Sequence, residues 1–219
     1  MIHSNLIEQI LDLADAPLLH QQIGLKLAEE KIRREKFYND IDESMKVEFI
    51  NGEIIVHSPV MKRHNETNGL LFHLLDIHVR KNKLGFVGIE KIMVVLTRND
   101  YEPDLVFFNN DKAEDFKPTQ TLFPVPDFVV EVLSKGTKKH DRGIKFDDYE
   151  THKVQEYWII DPDNEIIEQY ILKKNVYELV YKSSQGMIKS MVVKDFEIPI
   201  RAIFDAEINF EVLQKLRQA

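Results

Sequence analysis

The chain has 219 residues, 43% apolar and 30% charged, which suits one domain with an appendage and a full buried core. The absence of cysteine excludes disulfides, thiolate zinc sites and a cysteine nucleophile, and fits a reducing cytoplasm. A net charge of −8 at pH 7 argues against a protein that coats nucleic acid by bulk electrostatics, while leaving room for an enzyme with one local basic lip.

Residues 4–15 place Leu6, Ile7, Ile10, Leu11 and Leu13 at helical spacing, with Ser4 or Asn5 suited to cap the helix. Glu8, Asp12 and Asp15 make the same segment a poor secretory signal. Ala16-Pro17 breaks this helix and opens a second, because proline suits a first turn. The second helix is expected to run to about Phe37, with the charges of EEKIRREK in water. Residues 1–43 thus read as a helical extension without chemistry, packed on the core or on a second subunit. No stretch of the chain has the length for a membrane span.

From Met45 the pattern changes to strands. VEFINGEIIVHSP carries Asn51-Gly52 between two apolar runs, a strong hairpin signal that Ser58-Pro59 ends. A helix over about Lys62–Lys81 follows, with Leu70, Leu71, Leu74, Leu75 and Ile77 on its apolar side. Of its histidines, only His64 sits near the helix start. His73 and His78 are five apart, a poor pair for one metal, so structural or solvent roles are expected for them. FVGIEKIMVVLTRND reads as one or two strands. In YEPDLVFFNND, Pro103 can start a strand in which Asp104 shares a face with Val106 and Phe108. DKAEDFKPTQTLFP is expected to be an irregular polar loop.

The densest chemistry lies in PDFVVEVLSKGTKKHDRGIKFDDYETHKVQEYWIIDP. Alternation puts Asp127, Val129, Glu131 and Leu133 on one strand face and Phe128, Val130 and Val132 on the other. A carboxylate among such residues needs a cation, a metal or strong donors. A polar turn leads to a helix expected from about Asp141, with Asp141 at its start and Lys145 one turn further on. EYWIID returns as a strand. Lys135, Lys138, Lys139, His140 and Arg142 form a basic lip beside the acids. The tail EIIEQYIL, NVYELVYKS and MIKSMVV alternates as an antiparallel meander, and AEINFEVLQKLRQ closes the chain as a helix.

Asp104 and Glu131 thus fall on neighbouring strands, with a lysine on the next helix. Two carboxylates make a hard oxygen site suited to magnesium or manganese rather than zinc. A lysine beside such a metal can position or deprotonate a water and stabilise developing phosphate charge. Those are the parts of metal-assisted phosphodiester hydrolysis.

The string Pro103-Asp104, Glu131-Val132-Leu133-Ser134, Asp141, Lys145 before Tyr149, and EYWIIDP resembles the Uma-type family of putative restriction endonucleases, within the PD-(D/E)XK nuclease superfamily. The resemblance spans about Val47 to Phe204 and includes VEFINGE and the Ser58-Pro59 to His64 stretch. It implies an α/β, restriction-endonuclease-like core, a mixed sheet flanked by helices, and with the antiparallel β tail this domain is expected over residues 44–219, the helical extension of residues 1–43 lying outside the resemblance. It implies Asp104 and Glu131 as ligands of Mg2+, with Mn2+ possible, DNA as substrate, and a homodimer. The superfamily usually places a lysine two residues after the second acid. Leu133 stands there, so Lys145 is the expected substitute, with Lys135 as the alternative. Glu48 and His64 match further family positions and are second-tier catalytic candidates, whereas Asp127 is expected to be structural. The expected activity is a magnesium-dependent endodeoxyribonuclease. The competing reading is an inactive nuclease-like fold that binds DNA or dimerises, favoured by the acidic charge. The simplest reading of Glu131 and Lys145 is a buried salt bridge tying helix to sheet.

Overall fold

The computed structural model describes residues 2–42 and 45–218. Helices α1 (Ile2–Leu11) and α2 (Ala16–Asp40) lead into a hairpin of β1 (Val47–Ile50) and β2 (Glu53–Val56). Its turn residues Asn51 and Gly52 have φ of 51° and 85°, the left-handed pair that a tight hairpin requires, and Ile50 pairs with Glu53. Helix α3 (Lys62–Asn82) follows, then β3 (Gly85–Ile89), β4 (Met93–Val95), β5 (Asp100–Tyr101) and β6 (Leu105–Asn109). The stretch expected to be irregular holds a short helix, α4 (Asn110–Ala113), and the two-residue β7 (Leu122–Phe123). Next come β8 (Phe128–Val132), α5 (Lys138–Asp141), α6 (Ile144–Thr151) and β9 (Glu156–Asp161). The meander is β10 (Ile166–Lys173), β11 (Val176–Ser183), β12 (Met187–Lys189) and β13 (Glu197–Pro199), before a 3-10 turn at Ile200–Ile203 and α7 (Ala206–Gln218).

A six-stranded sheet runs in the order β11-β10-β9-β8-β6-β3, antiparallel except where β8 lies parallel to β9. A parallel pair needs a crossover, which α5 and α6 supply. The smaller sheet, β2-β1-β5-β4-β7, carries the hairpin. Strand β8 is buried along its whole length, as a central strand covered on both faces should be. On one face Phe128, Val130 and Val132 pack with Trp158 and Ile160 against Leu71, Leu74, Leu75 and Val79 of α3. On the other, Val129 and Leu133 join Tyr157, Ile159 and Tyr149 of α6. Side-chain alternation therefore sends Glu131 toward α6 and the smaller sheet.

Most charges of the EEKIRREK stretch of α2 lie in water as expected, but Glu30 and Arg34 turn toward the smaller sheet. Phe37 is fully buried against Val47, Phe49 and Met93, and this docks the end of the helix on the smaller sheet. The same face brings Arg34 to Asp100, with Nε 2.6 Å from Oδ2 and a further hydrogen bond to the Leu96 carbonyl. Arg33 donates to the Gly52 carbonyl at 3.1 Å, and Arg98 pairs with Glu30. The helix expected from Asp141 is also broken in two. At Gly143, φ −122° and ψ −107° turn the chain, and an added Cβ would meet the Lys139 carbonyl at 2.8 Å. Asp141 consequently ends α5 rather than capping α6. Among the described residues, no helix is long and apolar enough to cross a membrane.

Candidate active site

Asp104 stands immediately before β6, and its Oδ2 accepts the Val132 amide of β8 at 2.8 Å. The same oxygen lies 3.3 Å from His64 Nε2, near the start of α3, and Oδ1 lies 3.2 Å from Lys46 Nζ. Burial alone would raise this carboxyl. The His64 contact, the Lys46 charge and the Val132 amide outweigh burial and hold it far below the ordinary range. His64 is raised in turn: burial opposes its charge, but Asp104 more than compensates.

Glu131 lies one strand over. Its Oε1 accepts hydrogen bonds from Lys145 Nζ at 3.0 Å and the Tyr149 hydroxyl at 2.9 Å. Lys145 enters from the first turn of α6, as expected, with its side chain 2% exposed. Its Nζ is 2.8 Å from Glu48 Oε1, 3.5 Å from Asp141 Oδ1 and 5.6 Å from the centre of the Tyr101 ring. Glu48 accepts the Glu102 amide at 3.0 Å and sits 3.1 Å from His57 Nε2. Three carboxylates therefore surround one ammonium. The lysine is held protonated despite its burial, by Glu131, Glu48 and Asp141.

The negative charge is not balanced. Burial pushes Glu131 well above the ordinary range; Lys145 opposes this, while Asp141, Asp104 and Glu48 add to it. Glu48, close to the same ammonium and to His57, is held at about 2. Asp141 is fully buried and raised, and neither of its oxygens takes a hydrogen bond. Asp104, Glu131 and Lys145 line one cavity of about 260 Å³, with Lys46, His57 and His64. Among the described residues, no three His, Asp or Glu side chains converge on one point as a ready-made metal cage. The donor set still fits a hard cation: two carboxylate oxygen ligands, Asp104 and Glu131, line one cavity, leaving further positions to water.

Of the residues singled out in the sequence, Asp104, Glu131, Lys145, Glu48 and His64 all meet here. Leu133 packs in the apolar cluster beside Tyr149, so no ammonium occupies the superfamily's usual place. Lys135 is exposed and lines the cavity's rim with His140. Arg142 leaves the basic lip and pairs with Glu168 at 2.6 Å. Asp127 does not line the cavity and is bonded to Lys112 and to the Asn109 amide. His78 also lies away from the cavity, contacting the Lys194 carbonyl at 2.8 Å and the Phe196 ring.

Lys46, His57 and Glu102 went unnoticed in the sequence. The hairpin held a signal for the first two. With Ile50 paired to Glu53, Lys46 falls opposite His57, and both share the Glu48 face.

Comparison with known proteins places this geometry in a family context. The model of the Uma2 family, described as putative restriction endonuclease, matches residues 34–201, which include all five candidates. The uncharacterized protein sll1609 of Synechocystis is 31% identical over 130 residues, 57% of this chain and 71% of that protein. A crystal structure of a putative nuclease of DUF820 from Anabaena variabilis superposes with a TM-score of 0.67. It covers 82% of this chain and 97% of the other at 16% identity, a likeness of fold.

Proposed function

The chain belongs to the Uma2 family of putative restriction endonucleases, and on that premise we propose that it is a divalent-metal-dependent endonuclease cutting DNA phosphodiester bonds. Residues 44–219 would form the catalytic domain. The observation that carries the reading is the convergence of Asp104, Glu131 and Lys145 on one cavity with an exposed lysine at its rim. Asp104 and Glu131 would hold Mg2+ or Mn2+. When bound, the cation would polarise the phosphate and lower the pKa of its water.

The protein's own groups do the rest. His64, Lys46 and the Val132 amide keep Asp104 ionised and aimed. Lys145, raised by three carboxylates, acts as a hydrogen-bond donor that orients the attacking water and offsets charge developing on phosphate. Glu48 and Tyr149 fix the ammonium and the Glu131 carboxylate in place. Lys135 at the rim offers local positive charge to the DNA backbone, against the acidic net charge of the chain.

The test is nicking or linearisation of supercoiled DNA by the purified protein with Mg2+, Mn2+ or chelator, beside Asp104→Asn. Cleavage that survives chelation or Asp104→Asn would overturn the reading. One observation favours a binding-only module: Lys145 is engaged by Glu131, Glu48 and Asp141 together, as the cation of a structural ion cluster would be. DNA retention without cleavage under any divalent metal would select that alternative.

A further inference from the structure

Two lysines reach the site, and they are held in different ways. The Lys145 ammonium meets three carboxylates, those of Glu48, Glu131 and Asp141, and its side chain is 2% exposed. Lys46 stands just before β1, where its backbone carbonyl accepts the His57 amide at 3.0 Å. Its side chain is 18% exposed and lines the cavity, with Nζ 3.2 Å from Asp104 Oδ1. Burial disfavours the charge on Lys46, and Asp104, Glu90 and Glu131 together outweigh burial. The ammonium thus stands in the joint field of Asp104 and Glu131, the two acids proposed to share a cation. The Asp104 carboxylate is itself divided. Oδ2 is anchored by the Val132 amide at 2.8 Å and by His64 at 3.3 Å, whereas Oδ1 faces the lysine.

A carboxylate oxygen binds Mg2+ at about 2.1 Å. With Oδ2 taken by a backbone amide and an imidazole, Oδ1 is the oxygen that can change partners. An ammonium in contact with that oxygen obstructs a divalent cation both by volume and by like charge. Departure of Lys46 leaves Asp104 in place, because the anchors on Oδ2 remain. Departure of Lys145 would instead strand buried carboxylates, so Lys145 is the fixed cation of the pair. We propose that the Lys46 ammonium holds the cation's place at Asp104 Oδ1 and swings out along the cavity when a divalent metal binds. The flexible four-carbon stem of lysine allows the head to move while the backbone stays pinned to His57. The inference rests on the metal reading of the site, but its test does not depend on cleavage.

Two measurements on the full chain test it. Calorimetric titration with Mn2+ compares wild type, Lys46→Met and Lys46→Arg. Lys46→Met should bind about tenfold tighter, because apparent affinity scales with the fraction of molecules whose site is free of the ammonium. Lys46→Arg keeps a cation on Asp104 and should bind no tighter than wild type. The second measurement uses wild type alone and so decides the matter even if Lys46→Met misfolds. The protein is acetylated with N-hydroxysuccinimidyl acetate, with and without Mg2+, and each lysine is read by peptide mass spectrometry. Lys46 should react faster with Mg2+ present, while Lys135 at the rim reacts at an equal rate in both. Equal Mn2+ affinity in wild type and Lys46→Met overturns the inference and leaves the metal reading standing. So does tighter binding with unchanged or slower acetylation of Lys46, which is the signature of simple charge removal. Absence of Mn2+ binding in wild type and Lys46→Met alike overturns both the metal reading and this inference.

Discussion

Asp104 accepts the backbone amide of Val132 at 2.8 Å, so the first acid of the site is clamped to the strand that carries the second. Glu131 precedes Val132 by one residue on β8. A shift of one strand against the other would have to break this bond, which therefore holds the two acidic segments in register at the site.

Asp104→Asn should keep the fold, because the amide oxygen can still accept from Val132. It should abolish the stabilisation that Mg2+ or Mn2+ gives the wild type. Thermal midpoints with and without metal check this, and equal metal shifts in both proteins would remove Asp104 from the ligand set.

Lys145→Ala removes the only cation within reach of Glu131 and Asp141 among the contacts described, so it should destabilise the fold by about 3–5 kcal/mol. Cleavage should be lost. Lys145→Arg keeps the charge but not the reach, and should be inactive as well. Denaturant titration and DNA cleavage are the readouts, and an active alanine variant would transfer the role to Lys135.

Glu48→Gln retains an acceptor for the Glu102 amide while removing the carboxylate nearest Lys145. Cleavage should fall by about 10–100-fold, the range for outer groups that orient a metal centre. Unaltered cleavage with lowered stability would mark Glu48 as purely structural.

Glu168 gives a pH signature away from the site. Burial opposes its charge, but hydrogen bonds from Arg142, Lys182 and Tyr170 lower it from the ordinary 4.5 to about 2. A depressed carboxyl contributes stability that is fully present above 4.5 and is lost as pH falls toward 2. The gap in thermal midpoint between wild type and Glu168→Gln should therefore narrow across that window and stay constant above it.

Phe37→Ala should cost about 3–5 kcal/mol, because the ring fills a closed cluster with Val47, Phe49 and Met93. Arg34→Ala should add a smaller loss through Asp100. Chemical denaturation with a single transition checks both, and wild-type stability in Phe37→Ala would detach α2 from the core.

Local rules acting on neighbouring residues made part of this molecule legible from sequence. Asn51-Gly52 specified a hairpin and its register, because few dipeptides accept two left-handed φ angles in a row. Alternation along residues 127–133 sorted Glu131 away from Phe128, Val130 and Val132, and the helical position of Lys145 brought it within reach of that acid. Leu133 in an apolar strand likewise announced that the ammonium must come from elsewhere. The tertiary structure alone decided what each buried group faces. Glu48 is the nearest partner of Lys145 across 97 residues of sequence, Lys46 pairs with Asp104 across 58, and Arg34 with Asp100 across 66. Strand parity says which face a side chain takes, but the group opposite depends on how the smaller sheet and α2 pack against the larger one. The same packing drew Glu30 and Arg34 out of the otherwise solvated face of α2 and onto the smaller sheet. Sequence spacing already put Lys145 one turn beyond Asp141; the break at Gly143 decided that Asp141 ends α5 as a buried carboxylate instead of capping α6.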